Sequence, residues 1–337
     1  MNAPNRVRLF SILPLLLTAV GSAVPTSIAR AQNQTPTSTP APAPAPAQTT
    51  PPGSSTIELT PQKSPERPIT FQLRGGGEYT FSSDIDDSPG DIGIARTNFG
   101  VGIGIPIGER SRLSLDVDEE VSWYFFDNAP GLVPGTSDPF ELALSTQFQP
   151  TFSSQIDERW SWFVGGIVNF AGEADADIGE SATYGGFGGA RYRFSDTFAL
   201  SFGLGARTRL EDSTFVIPLI GIEWKVSDRV TVASEGTHIK ITAQMNQQLA
   251  VTLSGGWELR EYRLDDTGPL PDGVARDRRV PVGVTLDWKP ADNVQLSLGG
   301  GVVVWQEFRF DDRNGDRVSE TNTNPAAFVG VSGKFTF

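Results

Sequence analysis

The stretch Arg112-Leu113-Ser114-Leu115-Asp116-Val117-Asp118-Glu119-Glu120-Val121-Ser122-Trp123 decides the fold. Leu113, Leu115, Val117, Val121 and Trp123 alternate with Arg112, Ser114, Asp116, Asp118, Glu120 and Ser122. Successive side chains of a strand point to opposite faces, so one face here is apolar and the other charged. The same alternation returns in Phe140, Leu142, Leu144, Thr146, Phe148 and Phe152, set against Glu141, Ala143, Ser145, Gln147, Gln149 and Thr151. It returns again in Leu249, Val251, Leu253, Gly255, Trp257 and Leu259, set against Ala250, Thr252, Ser254, Gly256, Glu258 and Arg260. These runs reach about 10–15 residues, whereas strands of soluble domains average about 5–6. The greater length suits a tilted strand crossing a membrane about 30 Å thick.

The connections between runs alternate in length. Gly108-Glu109-Arg110, Gln155-Ile156-Asp157-Glu158, Ser195-Asp196, Ser227-Asp228 and Ala291-Asp292 are short turns. Between them lie longer polar segments: Ser82–Ile94, Asp127–Pro139, Ala171–Ser181, Asp265–Asp277 and Asp311–Asn324. Short turns at one end and long loops at the other are the asymmetry of bacterial outer-membrane barrels, with the short turns periplasmic. Val230–Met245 sets the strand count. Read as a hairpin turning near Glu235-Gly236, it gives 14 strands, keeps the alternation and brings both ends of the barrel to the periplasm. Twelve is the alternative, if that hairpin is not part of the wall.

The chain closes on Val329, Val331, Gly333, Phe335 and Phe337 at alternate positions. A last strand ending in an aromatic residue resembles the signal read by the barrel-insertion machinery of the outer membrane. In a closed barrel that strand pairs with the first and no edge is left open. Trp160, Trp162, Trp224 and Trp288, with Phe194 and Phe198, stand beside short turns. Amphipathic rings at that position form an interfacial girdle.

Residues 1–31 read as a secretory signal peptide: Arg6 and Arg8, then the apolar run Leu9–Val20, then Ala29-Arg30-Ala31 as a small-x-small site. Residues 32–68 form a Pro/Ala/Thr-rich tail, expected to be disordered and periplasmic, with polyproline character at Ala41–Ala47. Residues 69–337 are left for the barrel. The net charge of −13 becomes −16 once Arg6, Arg8 and Arg30 leave with a signal peptide. Such a chain repels nucleic acid, which binds basic surfaces by counterion release. With no cysteine in the sequence, a lipoprotein anchor, a disulfide scaffold and a Cys-ligated metal are excluded.

Little in the sequence points to reaction chemistry. His238 is the single histidine and shares its face with Lys240, Thr242 and Gln244; no serine motif marks a catalytic partner for it. No cofactor is expected. Gly75-Gly76-Gly77, Gly185–Gly189 and Gly299-Gly300-Gly301 precede no helical pattern, so they are read as bends and close contacts in a curved wall rather than phosphate loops. Asp312, Asn314, Asp316 and Glu320 resemble part of a calcium loop, with Gly315 at the sharp turn. The pattern departs from that loop in having Phe310 at the first ligand position and Glu320 one residue early. Asp84, Asp86, Asp87 and Asp91, and likewise Glu173, Asp175, Asp177 and Glu180, would face lipopolysaccharide and its bridging cations on the long-loop side. The inward face carries both signs: Asp116, Asp118, Glu120, Glu258 and Asp287 with Arg191, Arg193, Arg207, Arg209, Arg260 and Arg279. Charges lining a pore select permeants, or close the lumen by pairing.

Gly255-Gly256-Trp257-Glu258 followed by Glu261-Tyr262-Arg263-Leu264, ahead of a long loop, resembles an uncharacterised family of bacterial outer-membrane β-barrels known only as a domain of unknown function. The resemblance spans about Phe71–Phe337 and implies an outer-membrane location without naming a substrate. The expectation is therefore a single antiparallel up-and-down transmembrane β-barrel embedded in outer-membrane lipid. A passive or weakly selective channel for small solutes is the leading function. A closed structural or adhesive barrel is the second, and a barrel-borne hydrolase the third.

Overall fold

The computed structural model describes residues 68–86 and 88–337; the expected signal peptide, and the tail up to residue 67, lie outside them. Every regular element among the described residues is a strand. In chain order these are β1 (Thr70–Asp84), β2 (Asp91–Ile107), β3 (Ser111–Asp127), β4 (Leu142–Gln155), β5 (Trp160–Glu173), β6 (Ala182–Ser195), β7 (Phe198–Arg209) and β8 (Asp212–Lys225). They continue with β9 (Val230–Glu235), β10 (His238–Gln244), β11 (Leu249–Gly256), β12 (Glu258–Arg263), β13 (Val274–Ala291), β14 (Val294–Asp311), β15 (Arg317–Thr323) and β16 (Ala326–Thr336).

Sixteen segments make fourteen wall strands, because two wall strands are interrupted. β11 and β12 follow β13 in one register, Gly255 opposite Val282 and Glu258 opposite Arg279, with a break at Trp257. β16 and β15 share β14 in the same way, Ala326 opposite Val303 and Thr323 opposite Gln306. Neighbouring wall strands are antiparallel, and the sheet closes where β1 pairs with β16 and β13 with β14. The hairpin expected in Val230–Met245 is present as β9 and β10. Gly236 is the first of its two loop residues, at φ +55°. That left-handed backbone is the one glycine accepts without strain.

The alternation of the sequence becomes the two faces of the wall. Leu298, Val331 and Ile239 are each about 60% exposed on the outside, while Ser297, Gln295 and Lys240 are buried inside. The lumen accounts for this inversion of the usual rule: polar side chains fill it and apolar ones meet lipid. Trp160, Trp162, Trp224 and Trp288 stand outward and exposed near the short-turn end. The wall also bends tightly in places. A Cβ at Gly301 would lie 2.1 Å from the Val282 carbonyl oxygen, so β13 and β14 need glycine to approach there.

Two segments expected as polar loops are structured. Asp311–Asn324 contains β15, which extends a hairpin with β14 past the apolar band. Residues 128–141, between β3 and β4, turn inward. Ala129, Leu132, Val133 and Phe140 are buried against Ile85, Ile94, Tyr124, Tyr262, Phe308 and Phe310. This apolar plug fills the long-loop end of the barrel. The rings of Tyr124, Phe140, Tyr262, Phe308 and Phe310 meet with centroids 4.6–6.5 Å apart.

Candidate functional site: the lumen and its side cavity

Even-numbered residues of β3 face inward, which lines up Asp116, Asp118 and Glu120 beneath Tyr124. Arg74 on β1 meets the first two, 2.9 Å from Asp116 Oδ1 and 2.9 Å from Asp118 Oδ2. Near the short turns, Arg191 pairs with Glu223, and Arg193 follows it one inward position along β6. Asp287 accepts hydrogen bonds from Thr252 and Ser297, both at 2.7 Å. Arg279 joins Glu78 and Glu258, each at 2.7 Å. Arg209 joins Glu261 at 2.7 Å and Asp212 at 2.6 Å. The mixed charges expected on the inner face are thus largely paired with one another.

Several of these pairs cross the lumen. Arg260 on β12 donates two hydrogen bonds to Glu120 on β3, Nε to Oε1 at 2.7 Å and Nη2 to Oε2 at 2.9 Å. β3 and β12 stand six positions apart around the fourteen-strand wall, almost opposite. Arg96 on β2 reaches Asp277 on β13, and Tyr124 donates to the same carboxylate at 3.0 Å; all three side chains are buried. Arg276 pairs with Asp311 and, at 2.8 Å, with Glu261. The partners Arg74, Glu78, Arg96, Glu261, Arg276, Asp277 and Asp311 were not singled out from sequence. Arg276 and Glu261 are cross-strand neighbours of one hairpin, but Arg96 and Asp277, and Arg279 and Glu78, lie about 180–200 residues apart, so only strand order reveals those pairings. Tyr124 and Tyr262 of the aromatic plug are hydrogen-bonded to Asp277 and Glu120 of these pairs, so plug and ion pairs pack together inside the long-loop end.

β12 produces a second departure from a plain cylinder. Its outer edge leaves β10, and Arg263 bridges to Gly172 of β5 across the barrel. β9 and β10 are only 6 and 7 residues long, short of the roughly 9–11 that cross a membrane. β9 holds β8 only through Glu223, Trp224 and Lys225. Among the described residues, Asp212–Ile220 of β8 therefore have a strand partner only in β7, which leaves roughly 30 Å of free edge.

The result is a window in the wall. The free edge of β8 forms one side and β12 the other. The hairpin tip is the sill, where the Thr237 hydroxyl donates to the Trp257 carbonyl oxygen. Ion pairs Arg209–Glu261 and Arg263–Glu211 form the lintel. Behind the window lies a cavity of about 270 Å³, lined by Phe215, Ile217, Trp257 and Leu259 at the rim and by Asn98, Gln147, Asn169 and Arg207 further in. Pro218 sits in the free stretch of β8. Lacking an N–H, proline belongs at sheet edges, and this strand has one here.

Among the described residues, His238 makes no hydrogen bond to a serine or threonine hydroxyl. Its Nε2 lies 3.4 Å from Glu258, a carboxylate shared with Arg260 and Arg279, beside a second cavity of about 110 Å³ that Lys240 also lines. In the loop after β14, Asp312 Oδ1 accepts the backbone N–H of Asn314 at 2.8 Å and of Asp316 at 3.0 Å. These bonds hold its carboxyl below the usual aspartate range. Glu320 turns away to Arg317 at 2.9 Å, so the four residues with calcium-loop spacing are not gathered around one point. At the other end, the N–H groups of Trp160 and Arg159 lower the Asp157 carboxyl in the same way.

These features define a closed β-barrel with an apolar outer band and a lumen filled at one end. Residues 145–333 match the family described as a domain of unknown function (DUF6268); this is more than half of the chain, and the protein belongs to that family. No functionally curated protein matches it. Among solved structures, it is similar to the toluene transporter TodX of Pseudomonas putida (8% identity, 80% of this chain and 90% of that one, TM-score 0.45). It is similar also to a FadL homologue of Pseudomonas aeruginosa (10%, 79% and 90%, 0.44) and to an outer membrane channel of Pseudomonas putida F1 (10%, 83% and 100%, 0.42).

Proposed function

We propose that this protein is an outer-membrane channel for small solutes, shut at its extracellular end in the conformation described. The observation that carries the reading is the cavity of about 270 Å³ inside a barrel whose outer face is built for lipid. A fourteen-strand wall is wide enough to enclose a lumen, and here side chains rather than backbone fill it. Because its charges are largely paired, selectivity should be weak. Long loops face outward and the short turns lie in the periplasm, in keeping with the Trp girdle beside those turns.

Swelling of proteoliposomes in small uncharged sugars tests this. Swelling that fades with increasing sugar size supports a channel. The ion pairs that cross the lumen favour one other reading, a permanently closed structural barrel. Vesicles that fail to swell, with the barrel inserted and folded, would support that alternative. The N-terminal tail in the periplasm and contact with lipopolysaccharide belong to the same proposal.

A further inference from the structure

The window between β8 and β12 has a feature that a breathing gap between strands would lack: its chemistry changes sharply with depth. At the rim, β8 is apolar on both faces, from Phe215 to Ile222. Elsewhere the inward positions of the wall are mostly polar, small or charged. Phe215 and Val216 are about half exposed, and Ile220 is 69% exposed. Directly behind the rim stands Arg207, the register partner of Phe215 on β7.

Arg207 differs from the arginines around it. Its Nε and Nη2 donate to Thr183 Oγ1 at 3.3 and 3.0 Å, and among the described residues it has no ion pair. The carboxylates that share its cavity are committed elsewhere: Glu120 and Glu258 to Arg260, Asp118 to Arg74, and Glu261 to Arg209 and Arg276. Glu119 hydrogen-bonds Thr146 and stands on the opposite face of β3 from Asp118 and Glu120. Glu261 is the carboxylate that interacts electrostatically with Arg207, yet it is hydrogen-bonded by Arg209 and Arg276, so the cavity presents a guanidinium with no carboxylate of its own beside the apolar side chains of the mouth. Arginine pairs well with a planar carboxylate.

We infer that the window is a side entrance for a single-chain amphiphile with a carboxylate head, whose chain lies along the Phe215–Ile217 and Trp257–Leu259 rim while Arg207 holds the head. The inference builds on the channel reading and gives it a substrate class and a route. A volume of about 270 Å³ is near the lower end of small-molecule pockets, roughly 300–1,000 Å³, which suits one chain and not a two-chain lipid. The mouth opens beside the outward apolar side chains Val216 and Ile220 of β8, which are 60% and 69% exposed.

The test uses the full barrel refolded into lipid nanodiscs and titrated with dodecanoate, dodecanol and dodecyltrimethylammonium. Dodecanoate should bind at least about tenfold more tightly than the other two. Arg207→Gln should erase that preference. Ile217→Asp, or Leu259→Asp should the first fail to fold, should weaken dodecanoate and dodecanol alike. Equal affinity for the three probes would overturn the inference, as would undiminished dodecanoate binding by Arg207→Gln. Sugar-driven swelling is read on the same preparations. Binding without swelling would remove the channel and leave the carboxylate site, whereas swelling without binding would remove the site alone.

Discussion

Arg260 and Glu120 join opposite walls of the barrel through two parallel hydrogen bonds, 2.7 and 2.9 Å long. Tyr262, two residues on, lies 3.3 Å from the same carboxylate and 3.4 Å from Ser122. β12 is therefore held inward by its even-numbered side chains. Its odd-numbered side chains Glu261 and Arg263 meet β7 and the β7–β8 turn through Arg209 and Glu211. One six-residue strand is clamped on both faces, and the shape of lumen and window depends on it.

The Arg96–Asp277 pair is fully buried. Asp277→Asn would leave the guanidinium without its counter-charge, and breaking such a pair costs about 3–5 kcal/mol. Urea unfolding in lipid vesicles should register a loss of that order. A change below about 1 kcal/mol would mean that water reaches Arg96.

Gly301→Val places side-chain atoms against the Val282 carbonyl, where a Cβ alone comes within 2.1 Å. Overpacking of this kind costs about 1–3 kcal/mol. On a gel of unboiled protein, the temperature at which the folded band disappears should fall. An unchanged transition would show that β13 and β14 can separate locally at no cost.

Asp312 supplies a pH dependence confined to one loop. Backbone N–H groups lower its carboxyl below the unfolded value. Its contribution is thus fully present above the ordinary aspartate pKa and is lost as pH falls through the lowered one. Protection of the Asn314 and Asp316 amides, taken relative to their intrinsic exchange rates, should hold at mildly acidic pH and be lost only at pH below about 4. In Asp312→Ala the same amides should lack that protection at every pH.

The wall was legible in the sequence because alternation is local. Leu113 to Trp123 shows both faces of β3 without reference to any other strand. The β9–β10 hairpin followed from alternation of the turns. The lumen was legible only in kind. Arg260, Glu120 and Glu258 could be placed on the inner face, but Asp277 lies 181 residues from Arg96 and no spacing rule links them. The window left one local trace, the run Phe215-Val216-Ile217-Pro218-Leu219-Ile220-Gly221-Ile222, which is apolar on both faces and carries a proline. That departure from alternation marks the edge. The inward turn of β12 left none, since Trp257–Leu259 continues the alternating pattern of β11 and exchanges lipid for the cavity only through its tertiary clamp. The plug was hidden for a similar reason: Leu132 and Val133 are two apolar residues in a polar loop, and their burial depends on where that loop lands.

Single-channel recording in a planar bilayer, comparing the wild type with Arg260→Ala, tests the account most directly. Releasing β12 from Glu120 should turn brief, small openings into longer and larger ones, with at least about a threefold rise in mean open time from a weakened pair worth roughly 1 kcal/mol or more. A wild-type barrel of large, steady conductance that Arg260→Ala leaves unchanged would contradict it, because the ion pairs across the lumen would then not be what closes the path.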